Sequence, residues 1–124
     1  MRTRFQLHDG VRICHLDFSN TSGEAEVLVA IAEARKVIAA EPPKSVYTIT
    51  DVANSTMTPD IRVALADLTQ HNKPYVVFGA VVGLRGIQRI ILRGIIQLTG
   101  RRLVAAETMD EAVSAVVGEA KGGK

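Results

Sequence analysis

Residues Tyr75 to Val82, "YVVFGAVV", form an almost wholly apolar run bounded by Pro74 and Gly83. A short apolar run between turn signals, rich in Val, predicts a strand at the centre of a parallel sheet. Such a sheet has to be covered by helices, so the flanking segments must supply the crossovers. Composition points the same way. Hydrophobic residues are 47% of the chain but aromatics only 4%, with no Trp, so the core must be built from Val, Ile, Leu and Ala.

The flanking segments alternate as that architecture requires. Phe5–His8 and Val11–Phe18, joined by Asp9-Gly10, predict a β-hairpin, because Asp-Gly accepts the positive backbone angles of a tight turn. Thr21 and Glu24 have capping-box spacing ahead of a helix in which Leu28, Ile31, Arg35 and Ile38, flanked by Val27 and Ala34, keep helical spacing up to Ala40, and which Pro42-Pro43 stops. Ser45–Asp51 predicts a buried strand rich in β-branched residues. Thr58-Pro59-Asp60 opens a second helix, with Thr as cap, Pro at the first position and an acid facing the dipole. Ile61, Leu65 and Leu68 are its inner stripe, and Asn72 before Pro74 predicts a left-handed cap. Gly83 predicts the opening of a third helix, Leu84–Leu98, closed by Gly100 and followed by a strand over Arg101–Ala106. Thr108 and Glu111 form a second capping box for a last helix with Ala112, Val113, Val116 and Val117 inside.

The predicted order is ββαβαβαβα: an α/β fold with a mostly parallel sheet, an antiparallel edge strand and covering helices. One domain spans residues 1–119, and residues 120–124, in the "AKGGK" stretch, read as a disordered tail. No apolar stretch is long enough to span a bilayer, and Met1 is followed by Arg2, Thr3, Arg4 rather than an apolar leader. The single cysteine, Cys14, permits no internal disulfide, and together these features predict a cytoplasmic protein. His8, His15 and His71 lack metal-ligand spacing, so neither a metal nor another cofactor is expected. Gly79, Gly83 and Gly86 fit no nucleotide-loop spacing, and no nucleic-acid-binding motif accompanies the net charge of +2.

"LDFS", "PPKSVYTITDV", "TPDI", "HNKPYVV", "AVVGLRGIQRIIL" and "TGRRLVAAETMDEAVSAV" occur in an order and spacing that resembles the SpoIIAA-like family of small bacterial proteins over nearly the whole chain. The resemblance implies the STAS fold of anti-sigma-factor antagonists, related in shape to CRAL-TRIO lipid-transfer domains. It implies a regulatory, protein-interaction role, and no constellation of catalytic residues in the sequence points to an enzyme. In antagonists of that type, a serine at the helix start after the third strand is phosphorylated and switches partner binding. The corresponding place here is Met57-Thr58-Pro59-Asp60, with Ser55 and Thr56 upstream, and the family's Ser-Ser-Gly is absent. Thr58 is the positional counterpart of the phospho-acceptor.

Three groups of residues are candidates for function. Asp51, Ser55, Thr56 and Thr58 make a loop beyond a strand's carboxyl end, where ligands and partners gather. Asp17 and Ser19 could share its polar rim, although turn-making hydrogen bonds account for the same residues. Arg85, Arg89 and Arg93 recur at helical spacing within a segment, Leu68–Ala106, that holds six Lys and Arg and no acid. They suit phosphates, an anionic lipid surface or an acidic partner, or else they are a solvated face. Ile87, Ile91 and Ile95 belong to a helix more apolar than one buried face needs, which suggests a homodimer or ligand surface. Gly86 and Gly94 suggest close packing on that helix, or ligand access. Cys14, His15 and Asp17 do not converge, because alternation sends Cys14 to the other face of its strand. Two functions follow. One is a STAS-type regulatory domain, dimeric, that presents loop 51–58 and the basic helix to a protein partner. The other is a carrier or sensor of an apolar or amphipathic, lipid-like ligand held under the third helix, with Arg85, Arg89 or Arg93 at its head group.

Overall fold

The computed structural model describes residues 2–122. It is an α/β fold of five strands and four helices in the order expected from the sequence. The elements are β1 (Thr3–His8), β2 (Val11–Asp17), α1 (Glu24–Ala39), β3 (Val46–Asp51), α2 (Pro59–Asn72), β4 (Val76–Val82), α3 (Ile87–Thr99), β5 (Leu103–Ala106) and α4 (Met109–Gly122). The sheet runs β1-β2-β3-β4-β5, with β1 antiparallel to β2 and all other neighbours parallel. Asp9 and Gly10, with φ of 55° and 81°, make the tight hairpin turn.

Each parallel strand adds beside its predecessor, so right-handed crossovers place α1, α2 and α3 on one face. Cys14, Leu16 and Phe18 of the β2 region meet Val27, Ala34 and Ile38 of α1 and Ile61 and Leu68 of α2 there. Ile13, Ile49, Phe78 and Ala80 point the other way, against Ala112 and Val116 of α4. A β-bulge sets this division on β4. Val46 pairs with Val76 but Tyr47 with Phe78, so Val77 is the extra residue.

Several local expectations give way to tertiary demands. The third helix starts at Ile87, because Gly86, with φ 42°, is its N-cap and Leu84 and Arg85 stay in the preceding turn. Thr21 does not cap α1, whose N-cap is Gly23, because its hydroxyl accepts the Thr56 N–H at 2.9 Å. Asn72 is a buried helical residue rather than a left-handed cap, and the chain leaves through Lys73 with ordinary helical angles. Leu28 is 39% exposed, and Ala30 takes the inner position instead. A Cβ on Gly94 would meet nothing within 4 Å, nor would one on Gly86, so neither glycine marks close packing. Finally, α4 continues through Gly122 where a tail was expected from residue 120, while Gly123 and Lys124 lie outside the described residues. Among the described residues, no helix is long and apolar enough to cross a membrane.

Candidate functional site

α3 covers the sheet incompletely. Of its thirteen residues only Thr99 is buried, because the helix leans on α2 at the sheet's margin instead of seating squarely on the strands. Beneath it is a cleft of about 90 Å³. Its floor is Phe18, Val52 and Val81 from the strand ends, its side wall Leu65 and Leu68 of α2, and its roof Ile91, Leu92 and Ile95 of α3. The helical period explains the roof, since positions 91, 92 and 95 share one face. Met57 and Leu84 close the end nearest the start of α2.

The charged residues lining this apolar space are Arg62 and Arg101, with no acidic side chain. Arg62 is exposed near the start of α2, whereas Arg101 is only 6% exposed. Its position follows from the chain's path: Gly100 ends α3 in the left-handed conformation, and the next residue turns inward before β5 begins. Arg101 Nη1 donates to the Thr69 carbonyl at 3.1 Å, and its backbone N–H donates to Thr99 Oγ1 at 3.3 Å. Its buried Nε has no partner, and the guanidinium makes no ion pair among the described residues. Burial lowers its pKa to about 10, still well above neutrality, so the group is a buried cation.

The other candidate residues are divided by the structure. Arg85 precedes α3 and directs its backbone N–H to Gln88 Oε1 at 2.9 Å. Arg89 is paired with Glu107 at 2.7 Å, and Arg93 is exposed. The three therefore do not form one helical stripe. Ile91 and Ile95 line the cleft, while Ile87 does not and is 66% exposed, as Ile90 and Leu98 of the same helix are also exposed.

Loop 51–58 is stitched to the segment before α1. Asp51 Oδ1 accepts the Ala53 N–H at 3.0 Å, Thr56 Oγ1 donates to the Thr21 carbonyl at 3.2 Å, and Ser55 lies 3.4 Å from Thr21 Oγ1. Thr58 caps α2 by accepting the Ile61 N–H at 3.2 Å and donates to Glu24 Oε2 at 2.9 Å. A phosphate on Thr58 would forfeit the cap and face the Glu24 carboxylate, a like charge. Asp17 and Asp51 sit at paired strand positions, and Asp17 accepts from both the N–H and the hydroxyl of Ser19. The rim residues are thus brought together, mostly as turn-making hydrogen bonds.

On the opposite face of the sheet, His8 and His15 meet Nε2 to Nε2 at 2.9 Å, and burial lowers the His15 pKa. Cys14 is fully buried, and burial raises its thiol pKa to about 12. Its alkylation by iodoacetamide at pH 8 should be at least about a thousandfold slower in the native protein than in urea, since the thiolate is the reactive form. Equal rates in both conditions would contradict that burial. No group of three or more potential metal-binding side chains is present among the described residues.

Arg101 is the functional candidate that sequence reasoning missed. An Arg at a helix–strand junction looks like a surface cation, and the one available signal was the acid-free segment from Leu68 to Ala106. No family model matches the chain, and no curated protein or solved structure matches it.

Proposed function

We propose that this is a cytoplasmic, non-enzymatic binding domain of STAS type, a carrier or sensor of a small apolar or amphipathic ligand held between α3 and the sheet. The observation that carries the reading is the apolar cleft roofed by Ile91, Leu92 and Ile95. Packed interiors rarely leave such space, and a ligand can complete the cover of a helix that the protein itself covers poorly. The cysteine, buried and protonated, supports a binding role rather than nucleophilic chemistry.

The regulatory, protein-interaction reading has its own support in Ile87, Ile90 and Leu98 of the same helix, which are 66%, 63% and 86% exposed. A partner or second copy seated there would sense any movement of α3 caused by ligand, so the two readings describe one device.

1-Hexanol, observed by saturation-transfer NMR, tests the cleft. The wild-type protein should show contact with the probe, and Ile91→Trp, which fills the space from its roof, should lose at least about tenfold in affinity. The variant's urea midpoint checks that the fold survives. Undiminished binding by a folded Ile91→Trp protein would move the ligand elsewhere.

A further inference from the structure

We propose that Arg101 is the head-group site of this cleft and that its ligand is a monocarboxylate with a short apolar tail, an inference that rests on the cleft being a ligand site. Arg101 is 6% exposed and lines the cleft with one edge of its guanidinium unused. Nη1 is committed to the Thr69 carbonyl, the buried Nε has no partner, and Nη2 makes no hydrogen bond among the described residues. A cation buried beside a neutral carbonyl, without a counter-charge, is expensive. The free Nε–Nη2 edge matches the two oxygens of a carboxylate in the paired geometry Arg favours.

The surroundings fix the ligand's charge and shape. No carboxylate of the protein lines the cleft, so the anion has to come from outside. Lys73 adds a second, exposed cation at this end, where a Cβ on Gly100 would lie 3.3 Å from its Nζ. One buried cation compensates one negative charge, and a phosphate monoester would bring a second one into apolar surroundings. From Thr69 the wall runs along α2 through Leu65 to Arg62, seven residues or about 10 Å away, and this is the path of the tail.

Four six-carbon probes separate the head-group claim from the cleft itself: hexanoate, 1-hexanol, hexylamine and hexyl phosphate. In wild-type protein hexanoate should bind at least tenfold tighter than hexanol. Hexylamine should bind more weakly than hexanol, and hexyl phosphate no tighter than hexanoate. Hexanoate, and not hexanol, should shift the Arg101 Nε–H resonance in an arginine-selective NMR spectrum. Arg101→Met should bring hexanoate and hexanol within about twofold of each other, and Arg101→Lys should fall between. If hexanol and hexanoate bind wild type equally, the head-group assignment is wrong while the cleft remains a ligand site. Binding of neither probe removes both conclusions. Tighter binding of hexyl phosphate overturns the choice of carboxylate. Should Arg101→Met fail to fold, the wild-type ranking and the Nε–H shift decide the matter alone.

Discussion

Phe18→Ala is expected to destabilise the domain by about 3–5 kcal/mol, the largest loss from any single core truncation here. Phe18 is fully buried where β2 ends, and it belongs both to the core beneath α1 and α2 and to the floor of the cleft. Aromatics are 4% of the chain and Trp is absent, so no second large side chain stands ready to fill the void. Its backbone N–H also donates to the Asp51 carbonyl at 2.9 Å, which fixes the side chain's starting point and limits relaxation. With a urea dependence of about 1–3 kcal/mol per molar, the unfolding midpoint should fall by about 1 M or more. A fall of less than about 0.5 M would mean that the cleft already leaves Phe18 loosely held. Because a domain of this size has about 5–15 kcal/mol in total, the variant should be folded but fragile.

Gly83→Ala should cost about 3 kcal/mol or more, far beyond an ordinary surface change. Gly83 has φ 90°, a region L side chains rarely occupy. An added Cβ would lie 2.5 Å from the Ala53 nitrogen and 2.7 Å from its Cα, both backbone atoms that cannot swing aside. Ala53 is itself held by its N–H bond to Asp51 and by the Asn20 N–H donating to its carbonyl at 2.9 Å. The substitution therefore pushes on loop 51–58 from behind. Urea denaturation measures the cost, and amide shifts at residues 51–56 in the NMR spectrum locate it. A variant with wild-type midpoint and unshifted loop amides would show that the β4–α3 turn does not brace this loop.

What could be read in advance was whatever the chain decides locally or by periodicity. The apolar run of β4, the Asp-Gly hairpin, the Thr58-Pro59 helix start and the Pro42-Pro43 stop are short-range instructions, and each element formed accordingly. The failures share a cause, which is recruitment of a residue by something distant in sequence. Thr21 has the spacing of a cap, but Thr56, thirty-five residues on, claims its hydroxyl. Gly83 looks like a helix opener, yet its positive φ serves contact with Ala53, and the helix waits until Gly86. Arg85, Arg89 and Arg93 have helical spacing only on paper, because the helix start excludes the first and Glu107 takes the second. Arg101 was illegible for the same reason. Nothing local distinguishes it from Arg102, which extends to Glu119 at 2.6 Å, and only the turn at Gly100 sends one inward and the other out.

The strand order carries a consequence for how the molecule comes into being. Since every strand lies beside the one made just before it, the sheet can grow in the direction of synthesis, with α1, α2 and α3 closing their own core as each emerges. The opposite face has no such companion. Ile13, Ile49, Phe78 and Ala80 stay bare on the ribosome until α4 follows β5 out of the exit tunnel, so this nearly finished sheet is at its most adhesive just before its last helix arrives.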